Sequence, residues 1–128
     1  LENIAILERE DICGHVQRVG PYFGERLASL ADLGIVGDVR GSHFMQCVEN
    51  VADKETKELF DPSVHVGDRV ADACEKRGLI VRPIAHLNVL SPPLVLSVEQ
   101  IDWMVDTLRE GIIEVQAELI AEGLWSPE

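Results

Sequence analysis

The sequence predicts an α+β, two-layer fold, in which a small antiparallel-rich sheet is covered by helices on one face. Apolar residues recur at helical spacing in three separate stretches, and short strand-like stretches occur in two pairs between them. Glycine or proline stands at most of the junctions. The predicted order is α–β–β–α–β–β–α, and strands that follow one another in pairs favour antiparallel pairing. No repeat or linker divides the chain, so we expect residues 1–128 to form a single domain.

The first predicted helix covers residues 2–33, where apolar side chains recur at steps of three to five residues. Gly20-Pro21 interrupts this stretch and predicts a kink or a meeting of two helices, because proline removes an intrahelical hydrogen bond. Gly34 marks the expected end of the helix. Two strands, over 35–41 and 44–49, are expected to follow and to join at Gly41-Ser42.

The second half of the chain predicts two further strands between two helices. The predicted elements are a loop over 52–62, a helix over 66–78, strands over 79–83 and 87–90, and a helix from Ser97 to near Gly123. Because proline cannot donate to a β-ladder, the strand closed by Ser91-Pro92-Pro93 ends there or lies at an edge. Ser97 with Gln100 predicts a capping box at the start of the last helix.

Composition excludes several classes of protein. Hydrophobic residues make up 46% of the 128 residues and charged residues 27%, which is typical of a globular protein. Acidic residues outnumber basic ones 23 to 11, and the formal net charge of −12 argues against binding to nucleic acid or to an anionic membrane surface. No apolar run approaches the roughly 20 residues that span a bilayer.

The start of the chain and its cysteines indicate a cytoplasmic protein. Leu1-Glu2-Asn3 has neither a basic region nor an initiating Met, so it resembles neither a signal peptide nor a natural beginning. Cys13, Cys47 and Cys74 are odd in number and widely spaced, which supports neither a zinc site nor a redox pair. We therefore expect three reduced, buried thiols.

Few residues carry recognisable chemistry. The histidines lack metal-ligand spacing, and His43 and His86 are candidate catalytic residues only because both fall in predicted loops. The three lysines lie in charged sequence, and none has a setting that would lower its pKa for Schiff-base chemistry. No glycine-rich loop could cradle a phosphate. From these patterns we expect no metal site and no phosphate-binding loop in this chain.

Arg82 is the candidate binding residue. It follows the apolar stretch 79–81 and precedes Pro83, so it would stand at the end of a strand. An arginine at the end of an inner strand could reach over a site and hold a carboxylate through two parallel hydrogen bonds. From its spacing alone, Arg82 could equally be a solvent-facing residue at a strand end.

Several stretches together resemble one enzyme family. They are residues 78–83 (GLIVRP), 88–97 (NVLSPPLVLS), 36–41 (VGDVRG) and 51–62 (VADKETKELFDP). Together they resemble the C-terminal part of class III pyridoxal-phosphate-dependent aminotransferases, and in particular the omega-transaminases. The resemblance covers nearly the whole chain, and the combined pattern is far more specific than any one piece.

The resemblance implies that the chain is the C-terminal small domain of a fold-type I, dimeric enzyme. In that family a large domain carries the Schiff-base lysine, the aspartate on the pyridine nitrogen and the phosphate-binding turn, and none of these motifs occurs in residues 1–128. The chain alone would be silent and would hold no pyridoxal phosphate, and its partners would be the large domain and a second subunit. Arg82 matches the family's mobile arginine, which pairs with the carboxylate of an acidic substrate and swings away for an apolar amine.

Two departures from the family pattern leave the substrate range open. His43 stands where a glycine is usual, and Ala85-His86 replaces a Gly-Asp pair after the arginine segment. Two other functions also remain open. One is a free-standing small-molecule-binding or protein-interaction module of the same fold, and the other is an independent small enzyme that uses His43 or His86.

Overall fold

A four-stranded antiparallel sheet and four α-helices make up the fold of residues 1–127, which the computed structural model describes. The elements are α1 (Glu2–Arg9), α2 (Ile12–Ala28), β1 (Val36–Ser42), β2 (Met45–Asn50), α3 (Val66–Glu75), β3 (Arg82–Ile84), β4 (Leu87–Leu90) and α4 (Val98–Ala121). Short 3-10 turns cover Ser29–Asp32 and Pro62–Val64. The strand order is β1-β2-β4-β3, and every neighbouring pair is antiparallel. The predicted α+β class and antiparallel sheet are confirmed.

Helices cover one face of the sheet. Val48 of β2 and Leu90 of β4 point into a single cluster of buried apolar side chains that α2, α3 and α4 complete. Because side chains alternate along a strand, Cys47 and Val89 lie on the opposite face, where they are only half-buried. We call this second surface the open face. In the sequence, β2 alternates in the same way, so the structure agrees with that prediction.

The helix break falls at a different place from the predicted one. Helix α1 ends at Arg9, and Asp11 takes the left-handed conformation (φ 47°) before α2 begins. Pro21 instead lies inside α2. The helix packs tightly on both sides of Pro21, since Phe23 is fully buried and a Cβ on Gly20 would come within 2.7 Å of the His43 Cα atom. This packing outweighs the free-energy cost of a proline inside a helix. A meeting of two helices at Gly20-Pro21 is therefore wrong, because the helix break lies between Arg9 and Ile12.

The strand predicted over 79–83 is shifted. Strand β3 begins only at Arg82, although Leu79 and Val81 are buried. Its single partner β4 ends at Leu90, and the Ser91-Pro92-Pro93 segment that follows cannot extend the ladder. Leu79 and Val81 therefore pack into the core without a strand partner, whereas Ile80 between them is exposed.

Two other expectations concern the last helix and the cysteines. The capping box is confirmed, since the Ser97 hydroxyl accepts from the Gln100 amide at 3.2 Å and the Gln100 side chain accepts from the Ser97 amide at 2.9 Å. Cys74 is buried, and burial raises the pKa of its thiol to about 11. Cys47 is half-buried and Cys13 is exposed on α2, so the expectation of three buried thiols is wrong for Cys13.

Helices α3 and α4 approach closely at Gly111. A Cβ there would lie 2.8 Å from the Cys74 sulfur atom, whereas a Cβ on Gly24 of α2 would meet only the Gln46 side-chain nitrogen at 3.6 Å.

We expect Gly24→Ala to raise the free energy of unfolding by about 0.5–1 kcal/mol, because alanine favours a helix. Gly111→Ala should lower it by about 1–3 kcal/mol through overpacking. Urea unfolding of the two variants checks this, and equal shifts would contradict the close approach.

Candidate functional site

A groove of about 400 Å³ lies beside the β3 edge of the sheet, between β3, residues 91–96 and the first turns of α4. Its walls are mainly apolar, and they include Leu79, Ile80, Pro92, Leu96, Trp103 and Met104. A concave apolar surface that contains a few polar groups is the usual form of a small-molecule site. The groove is therefore the candidate site of the described chain.

Arg82 lies at this groove, as the first residue of β3. It pairs with Val89 of β4, so its exposed side chain stands on the open face. Strand β3 is an edge strand, so the expectation of an inner strand is wrong. Pro83 fits this position, because a residue without an N–H is tolerated at the edge of a sheet.

The guanidinium of Arg82 differs from the others in residues 1–127 by its lack of a carboxylate partner. Each of the seven other arginines has a carboxylate oxygen at 2.6–3.6 Å. The Arg82 side chain forms no hydrogen bond or ion pair within this described part, although the chain carries a net charge of −12. A guanidinium in this state beside an apolar groove is free to bind a carboxylate from outside the chain.

A charged cluster on the open face was missed by the sequence reasoning. Glu49 of β2 accepts from Arg40 of β1 at 2.7 Å and from the His86 Nε2 atom at 2.9 Å. Hydrogen bonding to Arg40, and to a lesser extent to His86, holds the pKa of the Glu49 carboxyl below its usual range, although partial burial opposes this. Strand alternation could have placed Cys47 and Glu49 on one face, but only the strand register brings Arg40 and His86 to them.

The two candidate catalytic histidines do not come together. His43 lies in the β1–β2 turn and His86 in the β3–β4 turn, and the register of β2 with β4 puts these turns at opposite ends of the sheet. The His43 Nδ1 atom lies 2.7 Å from the Ser42 hydroxyl, whereas His86 contacts Glu49. Neither residue lines the groove beside Arg82. The groove therefore gives no support to an independent enzyme that uses His43 or His86.

The two departures from the family pattern share a backbone property. His43 has φ 49° and Ala85 has φ 54°, so both adopt the left-handed conformation that glycine takes most readily. A glycine is usual at both positions in the pattern described above. The side chains of His43 and Ala85 therefore stand here at a conformational cost.

The three lysines of the described chain lie away from the groove and have partners of their own. Lys54 and Lys57 donate to backbone carbonyl oxygens at 2.6–3.0 Å, and Lys76 lies 3.4 Å from a Glu114 carboxylate oxygen. None of the three lines the groove. Within residues 1–127 no group of three or more His, Cys, Asp or Glu side chains is placed to hold a metal ion. In the same range, no helix is both long and apolar enough to cross a membrane.

Comparison with known proteins gives a consistent result. The family model for aminotransferase class-III matches residues 1–112. An uncharacterized aminotransferase of Sinorhizobium fredii is 41% identical over 121 residues, which are 92% of this chain and 26% of that protein. The adenosylmethionine-8-amino-7-oxononanoate aminotransferase of Methanocaldococcus jannaschii is 38% identical over 114 residues, 89% of this chain and 25% of that protein. The chain spans about a quarter of the length of these relatives.

Solved structures agree with the sequence comparison. An omega-transferase from Vibrio fluvialis superposes with a TM-score of 0.89 at 38% identity, over 92% of this chain and 28% of that one. The PMP-bound form of an aminotransferase from the same organism gives a TM-score of 0.86 at 38% identity, over 90% of this chain and 25% of that one. The helices and the antiparallel sheet therefore occur together within much longer proteins.

The Glu49 cluster predicts a pH-dependent contribution to stability. Because Arg40 and His86 lower the pKa of Glu49 in the folded state, its contribution is present above the unfolded pKa, near 4.3, and is lost as pH falls through the folded value. We expect Glu49→Gln to lower the free energy of unfolding by about 1–2 kcal/mol at pH 7.

The difference from the wild type should shrink as the pH is lowered below about 4, as urea unfolding across a pH series would show. Glu58→Gln, at an exposed position of the 52–62 loop, is the control and should have little effect at either pH. A Glu49→Gln deficit that is the same at pH 7 and pH 3 would count against the ion pair.

Proposed function

The chain belongs to the class III aminotransferase family, and we propose that residues 1–128 form the C-terminal small domain of a pyridoxal-phosphate-dependent transaminase. The proposed reaction of the whole enzyme moves an amino group between an amine or omega-amino acid and a keto acid. The chain spans about a quarter of its relatives, and its lysines are engaged elsewhere, which supports a silent part of a larger protein. The rest of the enzyme would bind the cofactor, which serves as an electron sink for the bond changes at the substrate.

One observation carries the proposed role of this domain, namely the unpaired guanidinium of Arg82 at the rim of an apolar groove. A planar guanidinium can hold a carboxylate through two parallel hydrogen bonds and so fix both the position and the direction of an acidic substrate. No internal ion pair has to break before Arg82 turns towards the substrate or away from it. Arg82 would therefore orient acidic substrates and move aside for apolar amines.

The surface around the groove supports a partner that covers it. The exposed fraction is 85% for Ile80, 62% for Val95 and 51% for Trp103, and Leu94 and Val98 are also exposed. Clusters of exposed apolar side chains mark interfaces in soluble proteins. We infer that the large domain of the same protein packs here and closes the substrate site against Arg82.

The assembly and location of the whole enzyme follow from the family resemblance. We propose a cytoplasmic homodimer, and three free cysteines in the described chain are compatible with a reducing compartment. The net charge of −12 supports partners other than nucleic acid or a membrane surface.

The groove also favours a second candidate function, a free-standing module that binds an apolar molecule with an acid group. Gene context separates the two candidates. A longer reading frame that encodes a lysine-bearing large domain before Leu1 supports the transaminase, whereas an initiator codon directly before Leu1 supports the module.

Replacement of Arg82 in the full-length enzyme tests its proposed role. We expect Arg82→Gln to lower kcat/KM for substrates with a carboxylate by about 10- to 100-fold, since a charge-assisted contact is lost. Neutral amines should be affected less than twofold. Steady-state kinetics with an omega-amino acid and an aliphatic amine measure both values. Arg18→Gln, on the exposed surface of α2, is the matched control. An equal loss for both substrates would refute the carboxylate contact.

The exposed apolar surface predicts self-association of the isolated 128-residue chain. We expect it to bind an apolar dye and to form oligomers at micromolar concentration, because nothing covers Ile80 or Val95 in the chain alone. The double variant Ile80→Glu/Val95→Glu should restore a monomer in light scattering. Ile113→Glu is the control, because it changes an exposed residue outside this surface, on α4, and it should leave the oligomers intact. A wild-type chain that is monomeric and binds no dye would contradict the inferred interface.

A further inference from the structure

The β3–β4 turn, formed by Ala85 and His86, is held from both faces of the sheet. On the open face the His86 Nε2 atom donates to Glu49 at 2.9 Å. On the covered face the His86 carbonyl oxygen accepts from both the backbone and the side-chain nitrogen of Asn50, at 3.0 and 2.9 Å. A turn of two residues thus has contacts with β2 on both sides.

Two buried asparagines extend this hold to helix α3. Asn50 and Asn88 have no exposed surface, and the Asn50 side-chain nitrogen donates to the Asn88 Oδ1 atom at 2.8 Å. Asn88 in turn donates to the Gly67 carbonyl oxygen at 2.9 Å. A Cβ on Gly67 would lie 2.3 Å from the Ala85 carbonyl oxygen, so the start of α3 rests directly against the turn. The asparagine pair therefore links β2, β4, α3 and the turn.

This arrangement is costly at two points. The Oδ1 atom of Asn50 is buried and has no hydrogen-bond partner in the described chain. Ala85 adopts a left-handed backbone conformation, which is energetically unfavourable for residues other than glycine. An apolar pair would avoid the first cost, because the His86 carbonyl would keep its bond from the Asn50 amide and the Gly67 carbonyl would keep its helical partner. Stability alone is thus a poor explanation for two asparagines at this place.

Position is the better explanation, because few ladder hydrogen bonds fix β3 beyond the buried Val81 that precedes it. The strand is three residues long, pairs only with β4 and contains Pro83, which cannot donate a backbone hydrogen bond. Arg82 stands at the end of β3 away from the turn, two residues before Ile84. A shift or tilt at Ala85-His86 would therefore move the Arg82 backbone relative to the groove.

We propose that Asn50 and Asn88 are positioning residues for Arg82 and that they set how strongly the enzyme prefers substrates with a carboxylate. The proposal rests on the proposed function, since it takes Arg82 as the carboxylate-binding residue. Misplacement of a binding group by about 1 Å can cost about 100-fold in rate, so a modest release of the turn should be measurable.

The test replaces both asparagines in the full-length enzyme by valine, as Asn50→Val/Asn88→Val. We expect the ratio of kcat/KM for an omega-amino acid to that for an aliphatic amine to fall at least about tenfold, mainly through KM of the acid. The amine value should stay within about twofold. Amide hydrogen exchange at residues 84–87 should become faster, whereas exchange in β1 should not change.

Matched variants make the result decisive. Thr107→Val removes another buried polar group, on α4, and should leave the ratio unchanged. If the double variant does not fold, the same ratio is measured for Asn50→Ser. The serine hydroxyl is too short to reach both the His86 carbonyl oxygen and the Asn88 Oδ1 atom, so the ratio should fall here as well. An unchanged ratio in a folded variant, or an equal loss for both substrates, would overturn the proposal.

Arg82→Gln is measured in parallel to separate the two proposals. If it abolishes the preference for acids while the asparagine variants keep it, the positioning role fails and the proposed function stands. If Arg82→Gln itself leaves the preference unchanged, the carboxylate-binding role of Arg82 fails, and the positioning proposal fails with it.

Discussion

One constraint organises this domain: helices cover only one side of a four-stranded sheet. The two-residue period of a strand then sends Val48 and Leu90 into the helix-covered core and leaves Cys47, Glu49 and Val89 on the other side. The buried side chains of β2 and β4 all lie on the covered side of the sheet, whereas the charged side chains of Arg40 and Glu49 lie on the open face. The charged cluster and the groove are therefore products of the same sorting that builds the core.

Much of the fold could be predicted because its signals are local. The capping box at Ser97 and the order of helices and paired strands follow from spacing and from the chemistry of a few residues. The errors arose where distant contacts decide. Pro21 lies within a helix because packing at Gly20 and Phe23 outweighs its local cost, and β3 is shortened because its partner ends before Ser91. Neither contact has a signature in the residues beside it.

The candidate site divides in the same way. Arg82 could be singled out because a charge between an apolar run and a proline is unusual in sequence, and the family resemblance gave that charge a role. Its position at an edge, its lack of an internal partner and the groove beside it are properties of the folded chain. The partnership of Glu49 with Arg40 and His86 joins three strands or turns, and only the register of the sheet brings them together. The sequence thus indicated which residues could carry chemistry, but it did not predict the contacts between them.

The two margins of the sheet have a consequence for how such a domain could misassemble. One margin is β3, which is short and contains Pro83. The other is β1, which has a register irregularity between Val36 and Asp38 and carries the Arg40–Asp38 ion pair. Short length, proline, bulges and charges are the features by which natural sheets prevent strand addition from a neighbouring molecule. Contact between copies would therefore run through side chains and remain reversible, and the backbone would offer a poor template for a cross-β fibre.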